Sequence, residues 1–506
     1  MSAFLASPRL APFIDLAGQF QPLAWSRPLT PLALFAPLLF YYAALYLLSG
    51  RHGQSAPSLL ARGCAFVAIL AFLRLPIFYH LPFAALTYQL ALIGCFGACR
   101  VVDLFFLTEA PPVRLQRQYT PIDEEGSLSL LWLTPTRTHA WILAERGRKG
   151  KSPRDKKREE SRQSSRNSML SDLDELVTKA SDAVHDVLTP DMVPYKQRTE
   201  KATTGRLSTW ARCVWAFDLF VAMRGVGWDF TSADVKHTKI TWRPTPLGIL
   251  WVILSSNAPM LLGCWLALGY LYDTSLLNGG DYHGLPFYMR AVAPLAHGGM
   301  LFALFALGYN AAAFLCGLLF PLPVSEATTH NLFYFPPLNS LSLLRMASVR
   351  DFWSKAWHRL FARVFLLFGV YPGQYVQRLC LSSLSTQYDK EYDVGKVLGA
   401  FFTSGCIHAV GSWAISGASL DAFSYEWGFF FANGLAVLVE EGLRRLVKPS
   451  RSRPTTRLIG FLWTLAVLML TGQLFTANWW RTGLVREMVL LPRFLLHFVL
   501  SPFFPS

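Results

Sequence analysis

One histidine stands alone in a long apolar segment. His408 lies between Val397 and Leu420, a run of membrane-spanning length without Asp, Glu, Lys or Arg. Ionisable groups inside such segments are costly, and they usually serve a function. Small residues lie within a turn of it: Ser404, Gly405, Gly411 and Ser412. On a helix, this pattern would present an imidazole, a common general base, to a cavity. It would equally suit a histidine that hydrogen-bonds to a neighbouring helix.

The segment Val349–Phe361 carries a second set of polar and aromatic side chains. On a helix, Asp351, Ser354 and His358 would form a polar stripe at positions i, i+3 and i+7. An adjacent stripe would be aromatic and would consist of Trp353, Trp357 and Phe361. Such a helix suits a membrane interface, either as part of a site or as an anchor with tryptophans at headgroup level.

Two acidic residues, Glu440 and Glu441, follow a mostly apolar stretch, and Asn433 lies two turns before Glu440 on the same helical face. Arg444 and Arg445 come directly afterwards, so we interpret the acidic pair as partners in ion pairs at the membrane interface. The chain has no Walker P-loop, no HExxH zinc pattern, no G-x-S-x-G elbow and no C-x-x-C pair. We therefore expect no metal and no prosthetic group.

The elements that must position these residues are apolar segments. The chain has 52% hydrophobic and only 16% charged residues, against about 25% charged in soluble proteins. Stretches long enough to act as membrane helices, some of them short or interrupted, recur along it. They are Thr30–Ser49, Gly63–Tyr79, Phe83–Cys99, Pro246–Tyr272, Ala291–Ser325, Val397–Leu420, Trp427–Val439 and Leu458–Trp480. The net charge of +15 follows from basic clusters in loops, so no nucleic-acid partner is predicted.

The predicted fold is therefore an all-α polytopic membrane protein with about eight transmembrane helices and a re-entrant or interfacial helix at residues 351–378. We divide the chain into four parts. They are N-terminal transmembrane helices (1–109), a polar, basic and partly disordered cytosolic insert (110–205), a membrane domain that contains the candidate site residues (206–480) and a membrane-associated C-terminal helix (481–506).

Four sequence blocks, in order and spanning about residues 200–445, resemble the wax-synthase domain of the membrane-bound O-acyltransferase superfamily. Trp210 through Arg224-Gly-Val-Gly-Trp-Asp-Phe resembles its "W…RgiGWnw" signature, and Asn331–Arg345 resembles the stretch that precedes its "dFWgrrWHqll" block. Val349–Phe361 is similar to that block itself, and Phe402-Thr-Ser-Gly-Cys-Ile-His is similar to its "F-xSGxxHe" helix. Ala409 departs from the glutamate that often follows this histidine, and the basic insert has no counterpart in the pattern.

The resemblance implies transfer of an acyl group from acyl-CoA to an alcohol. It identifies His408 with the catalytic histidine of the superfamily and His358 with its second polar position. Residues near these two become candidates for substrate binding: Asp351, Trp353, Trp357, Ser404 and Asn433. Arg350, Lys355 and Arg359 become candidates for contacts with the CoA phosphates. The expected partners are acyl-CoA, a lipophilic alcohol and the bilayer, and the expected location is the endoplasmic reticulum.

The fungal branch of the family looks nearer than the plant branch, which favours acetyl or another short acyl group and an acceptor such as a terpenoid alcohol. Long-chain wax ester synthesis is the alternative within the class. A transporter or a scaffold is the alternative outside it, and in a transporter the two histidines would be candidates for a proton relay. The sequence does not fix the oligomeric state.

The asymmetry of basic residues predicts the topology. The insert around Arg146–Arg166 and the cluster Arg444–Arg457 should face the cytosol, and the loop Asp273–His283 should be lumenal, because basic loops stay on the cytosolic side. Glycosylation acceptor sites engineered into each loop measure sidedness, and only the site at 273–283 should be modified. Glycosylation within 146–166 would overturn the topology.

Overall fold

The computed structural model describes residues 20–50, 57–108, 111–112, 118–121, 193–198, 208–222, 225, 228, 241–243, 246–319, 347–357, 360–383, 393–447 and 454–500. Most of the predicted basic insert, the block Asn331–Arg345, His358 and Arg359 lie outside these residues. Most of the described residues are helical.

Three helices come first: α1 (Pro31–Ser49), α2 (Leu59–Phe78) and α3 (Ala84–Val102), the last continued by a π-turn at Asp103–Leu107. Helix α4 (Thr209–Val221) packs on α1. The next helices are α5 (Pro246–Val252), joined through a π-turn to α6 (Ala258–Leu277), and α7 (Phe287–Leu319). The remaining long helices are α11 (Val394–Ile415), α12 (Leu420–Val447), α13 (Pro454–Arg481) and α14 (Leu484–Leu500).

The described residues also include five short strands. Strands β1 (Arg27–Pro28) and β2 (Tyr79–His80) pair in parallel. Strands β3 (Gln118–Pro121), β4 (Val193–Arg198) and β5 (Thr241–Arg243) form an antiparallel sheet in the order β3-β4-β5.

Within the described residues, eight helices are long and apolar enough to cross a membrane, which confirms the predicted number and class. Helix α1 shows why they suit a bilayer. Its outer face exposes Leu32, Phe35 and Leu39, whereas Leu45 and Leu48 are buried against the other helices. Large apolar side chains on the outside of a helix bundle match a hydrocarbon solvent, so the chain is an integral, multi-pass membrane protein.

The segment 347–383 departs from the predicted single helix. Helix α8 (Val349–Asp351) passes into a π-turn at Phe352–Ala356, and Trp357 takes extended backbone with φ −70° and ψ 159°. The expected polar stripe at Asp351, Ser354 and His358 is therefore wrong as a continuous helical face. A second helical stretch follows, with α9 (Ala362–Phe365), a π-turn at Leu366–Val370 and α10 (Tyr371–Ser383).

Glycines bring this second stretch into backbone contact with α11. Gly369 and Gly373 face Gly395 and Gly399, and both pairs have the G-x-x-x-G spacing. A Cβ atom on any of the four would overlap a backbone carbonyl group of the facing glycine. Small residues at such crossings let membrane helices approach closely and gain van der Waals contact. This contact fixes the N-terminal half of the helix that carries His408.

Replacing Gly399 with alanine should therefore destabilise the protein, because backbone atoms on both helices would have to move apart. Overpacking of this kind costs about 1–3 kcal/mol. The matched control is Gly263→Ala on α6, where the added Cβ atom meets no atom within 4 Å. We expect a lowered thermal midpoint in detergent for Gly399→Ala and an unchanged or raised midpoint for Gly263→Ala. Equal midpoints would show that the glycine crossing contributes nothing.

Candidate active site

His408 lies on α11 within the interior of the helix bundle, where it is half-buried. Its Nδ1 atom forms a 2.8 Å hydrogen bond with the hydroxyl of Tyr88, a residue on α3 that lies 320 positions away and is 1% exposed. The imidazole stacks on the ring of Phe430 from α12, with a centroid distance of 4.7 Å and an interplanar angle of 23°. The ring is thus held on one edge by a hydrogen bond and on one face by an aromatic side chain.

The glycines that flank His408 give space to neighbouring side chains. A Cβ atom at Gly411 would lie 2.8 Å from the Tyr88 ring, and one at Gly405 would lie 3.0 Å from Trp427. Gly411 therefore lets the tyrosine approach α11 closely enough to reach the histidine one turn earlier. Ser404 is buried on the same helix.

Tyr88 is itself positioned by the C-terminal part of the chain. The first turn of α3 has no capping side chain of its own. Glu487 from α14 supplies one, because its carboxylate accepts hydrogen bonds of 2.6 and 2.8 Å from the backbone N–H groups of Ala84 and Ala85. Burial raises the pKa of Glu487 above its usual value, and these two donors and Arg486 offset part of that rise.

A buried polar network lies one turn beyond His408. The Oε1 atom of Glu426 accepts hydrogen bonds from Ser412 at 2.8 Å, Asn478 at 3.2 Å and the Trp479 indole at 2.6 Å. Glu426 is fully buried. The Trp479 ring also packs edge-on against Tyr88 at 5.1 Å, so this network adjoins the partner of His408.

Sequence reasoning missed both Tyr88 and Glu426. Tyrosine is common in membrane helices, and nothing in its local sequence marks Tyr88. Glu426 did carry a signal, because it is an isolated carboxylate directly before the apolar run Trp427–Val439. Its position near the start of α12 resembles an interfacial residue, whereas the helix packing buries it.

Two predicted substrate-binding residues, Trp353 and Asn433, do come together. The Trp353 indole donates a 3.1 Å hydrogen bond to Asn433, which in turn donates to Thr471 at 2.9 Å. The Trp353 ring contacts Phe430 at 5.8 Å, so it is separated from His408 by one aromatic ring. Trp357 lies further along the same aromatic layer, with its ring 5.8 Å from that of Trp353.

Among the remaining predicted residues, Arg350 lies at the cytosol-assigned end of α12. Val349 donates its backbone N–H to Glu440 at 2.8 Å, and Arg350 pairs with Glu441 at 3.5 Å. Arg444 also pairs with Glu440 at 2.6 Å, in agreement with the predicted interfacial ion pairs.

Asp351 closes the first turn of α8 by donating its backbone N–H to Ser348 at 2.9 Å. The side chain of Lys355 lies outside the described residues, as do His358 and Arg359. Contacts of Arg350, Lys355 and Arg359 with CoA phosphates stay a prediction.

Sequence reasoning also missed a second histidine in the interior, His297. His297 on α7 is 1% exposed, and its Nδ1 atom lies 3.2 Å from the hydroxyl of Thr476. Its ring contacts Phe475 at 5.4 Å and Trp479 at 4.7 Å. The signal was present in the sequence, since His297 lies in the charge-free run Ala291–Ser325 beside Gly298 and Gly299.

Across the described part of the chain, no three His, Cys, Asp or Glu side chains are grouped closely enough to hold a metal ion. The expectation of a reaction without metal or prosthetic group stays a prediction.

Comparison with protein families gives one match. Residues 336–432 match the membrane bound O-acyl transferase family. The match includes His408, Trp353 and Trp357, and it covers the last two of the four sequence blocks and most of the second.

Two curated fungal proteins are similar over longer stretches. The chain is 25% identical to acetyltransferase eriL of Hericium erinaceus over 284 residues, 55% of this chain and 69% of the relative. It is 24% identical to O-mevalon transferase macI of Penicillium terrestre over 250 residues, 47% of this chain and 54% of the relative. No solved structure matches the chain significantly. The resemblance to fungal membrane-bound O-acyltransferases is thus confirmed.

The geometry predicts a role for the Tyr88 hydroxyl. Tyr88→Phe removes only the oxygen that bonds to His408, and a hydrogen bond to a group that becomes charged is worth about 1.5–3 kcal/mol. We expect the turnover number for acyl transfer to fall about 10–100-fold, with little change in KM for acyl-CoA. Tyr42→Phe is the control, since it removes a 3.1 Å bond to the Cys213 carbonyl on α4. Equal turnover of the two variants would argue against this role.

Proposed function

We propose that this chain, an integral membrane O-acyltransferase similar to fungal acetyltransferases, esterifies a lipophilic alcohol with the acetyl group of acetyl-CoA. The observation that carries the proposal is the environment of His408. An imidazole inside an apolar bundle, hydrogen-bonded at Nδ1 to a buried tyrosine, suits general-base catalysis.

The reaction needs a base because a neutral alcohol is a weak nucleophile. His408 takes the hydroxyl proton through the ring nitrogen opposite Tyr88 as the alcohol oxygen attacks the thioester carbonyl carbon. The new C–O bond forms and the C–S bond breaks. The imidazolium then returns its proton to the departing CoA thiolate, which leaves an ester and free CoA.

The proposed role requires the tautomer with the ring proton on Nδ1, because a base that uses one ring nitrogen must carry its proton on the other. In that tautomer, Nδ1–H donates a hydrogen bond to the Tyr88 oxygen at 2.8 Å, and this bond also stabilises the imidazolium that forms during the reaction. His358, by its resemblance to the second polar position of the superfamily, would orient substrate or donate to the thioester oxygen as charge develops there.

The surroundings of the histidine suit a lipophilic acceptor. Phe430, Phe475, Trp353 and Phe429 form an aromatic layer next to the imidazole. An alcohol dissolved in the bilayer could reach this layer laterally, while CoA would approach from the cytosolic side, where the basic loops are assigned. The endoplasmic reticulum membrane fits such a reaction, because the lipophilic alcohol and cytosolic acyl-CoA meet there.

Acetyl is the acyl group that we favour. The first relative is named an acetyltransferase, and the fungal branch resembles this chain in its ordered sequence blocks. Long-chain wax ester synthesis is the second candidate, because the apolar interior would also favour a long acyl chain, by up to ~0.8 kcal/mol per buried CH₂ group.

Microsomes that contain the protein test both candidates, with labelled acetyl-CoA and palmitoyl-CoA supplied to a panel of lipophilic alcohols. We expect ester formation from acetyl-CoA and a loss of about 10²–10⁴-fold in His408→Ala, normalised to folded protein in detergent. Loss of one polar group in a membrane bundle costs only about 0.6–2 kcal/mol, so the variant should remain inserted.

The control is His80→Ala, because His80 lies in β2 outside the spanning helices and bonds to Ser26 at 2.9 Å. It should keep wild-type turnover. Near-normal turnover by His408→Ala would reject the general-base role, and loss of activity only in proportion to lost protein would favour a packing histidine. A clear preference for palmitoyl-CoA would show that the protein makes wax esters and would contradict the proposed acetylation.

A further inference from the structure

The indole of Trp479 contacts two buried side chains that each retain a polar atom without a partner. Its N–H group donates to Glu426 at 2.6 Å, and its ring contacts the His297 imidazole at 4.7 Å. Neither His297 Nε2 nor Glu426 Oε2 has a hydrogen-bond partner among the described residues, although both atoms are buried. These two buried atoms without a hydrogen-bond partner therefore need an explanation.

The great majority of buried polar side-chain atoms have a hydrogen-bond partner, and each exception needs an explanation, such as a bound ligand, a bound water or a catalytic role. The bilayer makes the requirement stricter, since the hydrocarbon region offers no bulk water to either group. Two such atoms on side chains that contact the same indole are less easily attributed to packing than a single one.

The hydrogen-bonding capacity of the two atoms is complementary. His297 Nδ1 is within 3.2 Å of the Thr476 hydroxyl, and when Nδ1 accepts from that hydroxyl, Nε2 carries the ring proton and is a donor. Glu426 Oε1 already accepts three hydrogen bonds, so Oε2 is the oxygen left for a ligand, as an acceptor when the group is ionised and as a donor when Oε2 carries the proton. A hydroxyl group can pair with both atoms in either state, because it both accepts and donates.

His297 and Glu426 lie close to the proposed base, His408. The ring of Phe475 contacts His297 at 5.4 Å and His408 at 6.3 Å. Trp479 packs on Tyr88, which bonds to His408. A substrate that presents one hydroxyl to His408 would therefore place its neighbouring atoms near His297 and Glu426.

We propose that His297 and Glu426 bind a second hydroxyl group of the acceptor, so that the enzyme selects lipophilic diols over alcohols with a single hydroxyl. This inference rests on the proposed function, and it narrows the substrate class. A site built to hydrogen-bond a substrate hydroxyl rejects analogues that lack it, because its own polar groups are then left unpaired. Simple fatty alcohols, the acceptors in wax synthesis, would be poor substrates.

A matched set of acceptors tests the proposal: dodecan-1-ol and the dodecane 1,2-, 1,6- and 1,12-diols. The wild-type protein should show at least a 10-fold higher kcat/KM for one of the diols than for dodecan-1-ol. His297→Leu should reduce that ratio to near one. His297→Gln, which keeps an N–H donor, should retain part of it and serves as the second variant if the leucine variant fails to fold.

The control is Asn310→Leu, on the same helix as His297. It removes a comparable interhelical hydrogen bond, from Asn310 to Asn257 at 2.7 Å, and it should leave the diol preference intact. A merely structural role of His297 would lower the amount of folded protein without changing the ratio.

Binding without acetyl-CoA separates this inference from the proposed function. The same diol should raise the thermal midpoint of purified wild-type protein more than dodecan-1-ol does, and His297→Leu should abolish the difference. Diol-specific stabilisation without ester formation would contradict the proposed function and support the subsite. Equal use of dodecan-1-ol and every diol, or an unchanged preference in His297→Leu, would overturn the subsite and leave acyl transfer standing.

Discussion

The hydrogen bond between Tyr88 and His408 joins two helices that are distant in sequence. Contacts elsewhere in the interior hold these two helices in the positions that the bond requires. On one side, Glu487 caps the first turn of α3 and so fixes the helix that carries Tyr88. On the other, Gly395 and Gly399 hold α11 against the preceding helical stretch. A bond of 2.8 Å tolerates little movement of either helix, so the proposed base depends on packing far from its own ring.

The same constraint explains where the polar residues are found. A membrane interior provides no solvent for unpaired groups, so polar side chains there must bond to one another or await a ligand. Ser412, Asn478 and Trp479 meet that requirement for one oxygen of Glu426. A separate chain of hydrogen bonds runs from Trp353, a member of the aromatic layer, through Asn433 to Thr471. The aromatic rings between these chains give the reacting groups an apolar environment in which electrostatic interactions are stronger.

The membrane helices and His408 could be predicted from the sequence, because hydropathy identifies them. The role of Tyr88 could not, because it depends on contacts between segments that are distant in the chain. Charge-free runs located the membrane helices, because length and apolarity alone decide whether a segment can span a bilayer. His408 stood out for the same reason, since an imidazole is rare in such a run. Tyr88 did not, because its role arises only when Gly411 lets α3 approach α11. The break after Ala356 also went unseen, because Val349–Phe361 contains no proline or glycine that would mark it.

A double-mutant cycle tests most directly whether Tyr88 acts through His408. Rates of acetyl transfer are measured for the wild type, Tyr88→Phe, His408→Ala and the double variant, with acetyl-CoA of high specific activity to reach the low rates. If the tyrosine works by orienting the imidazole, its removal costs about 10–100-fold in the wild type and has little further effect once the imidazole is absent. Independent effects that multiply in the double variant would contradict this account, as would a His408→Ala variant that turns over at the wild-type rate.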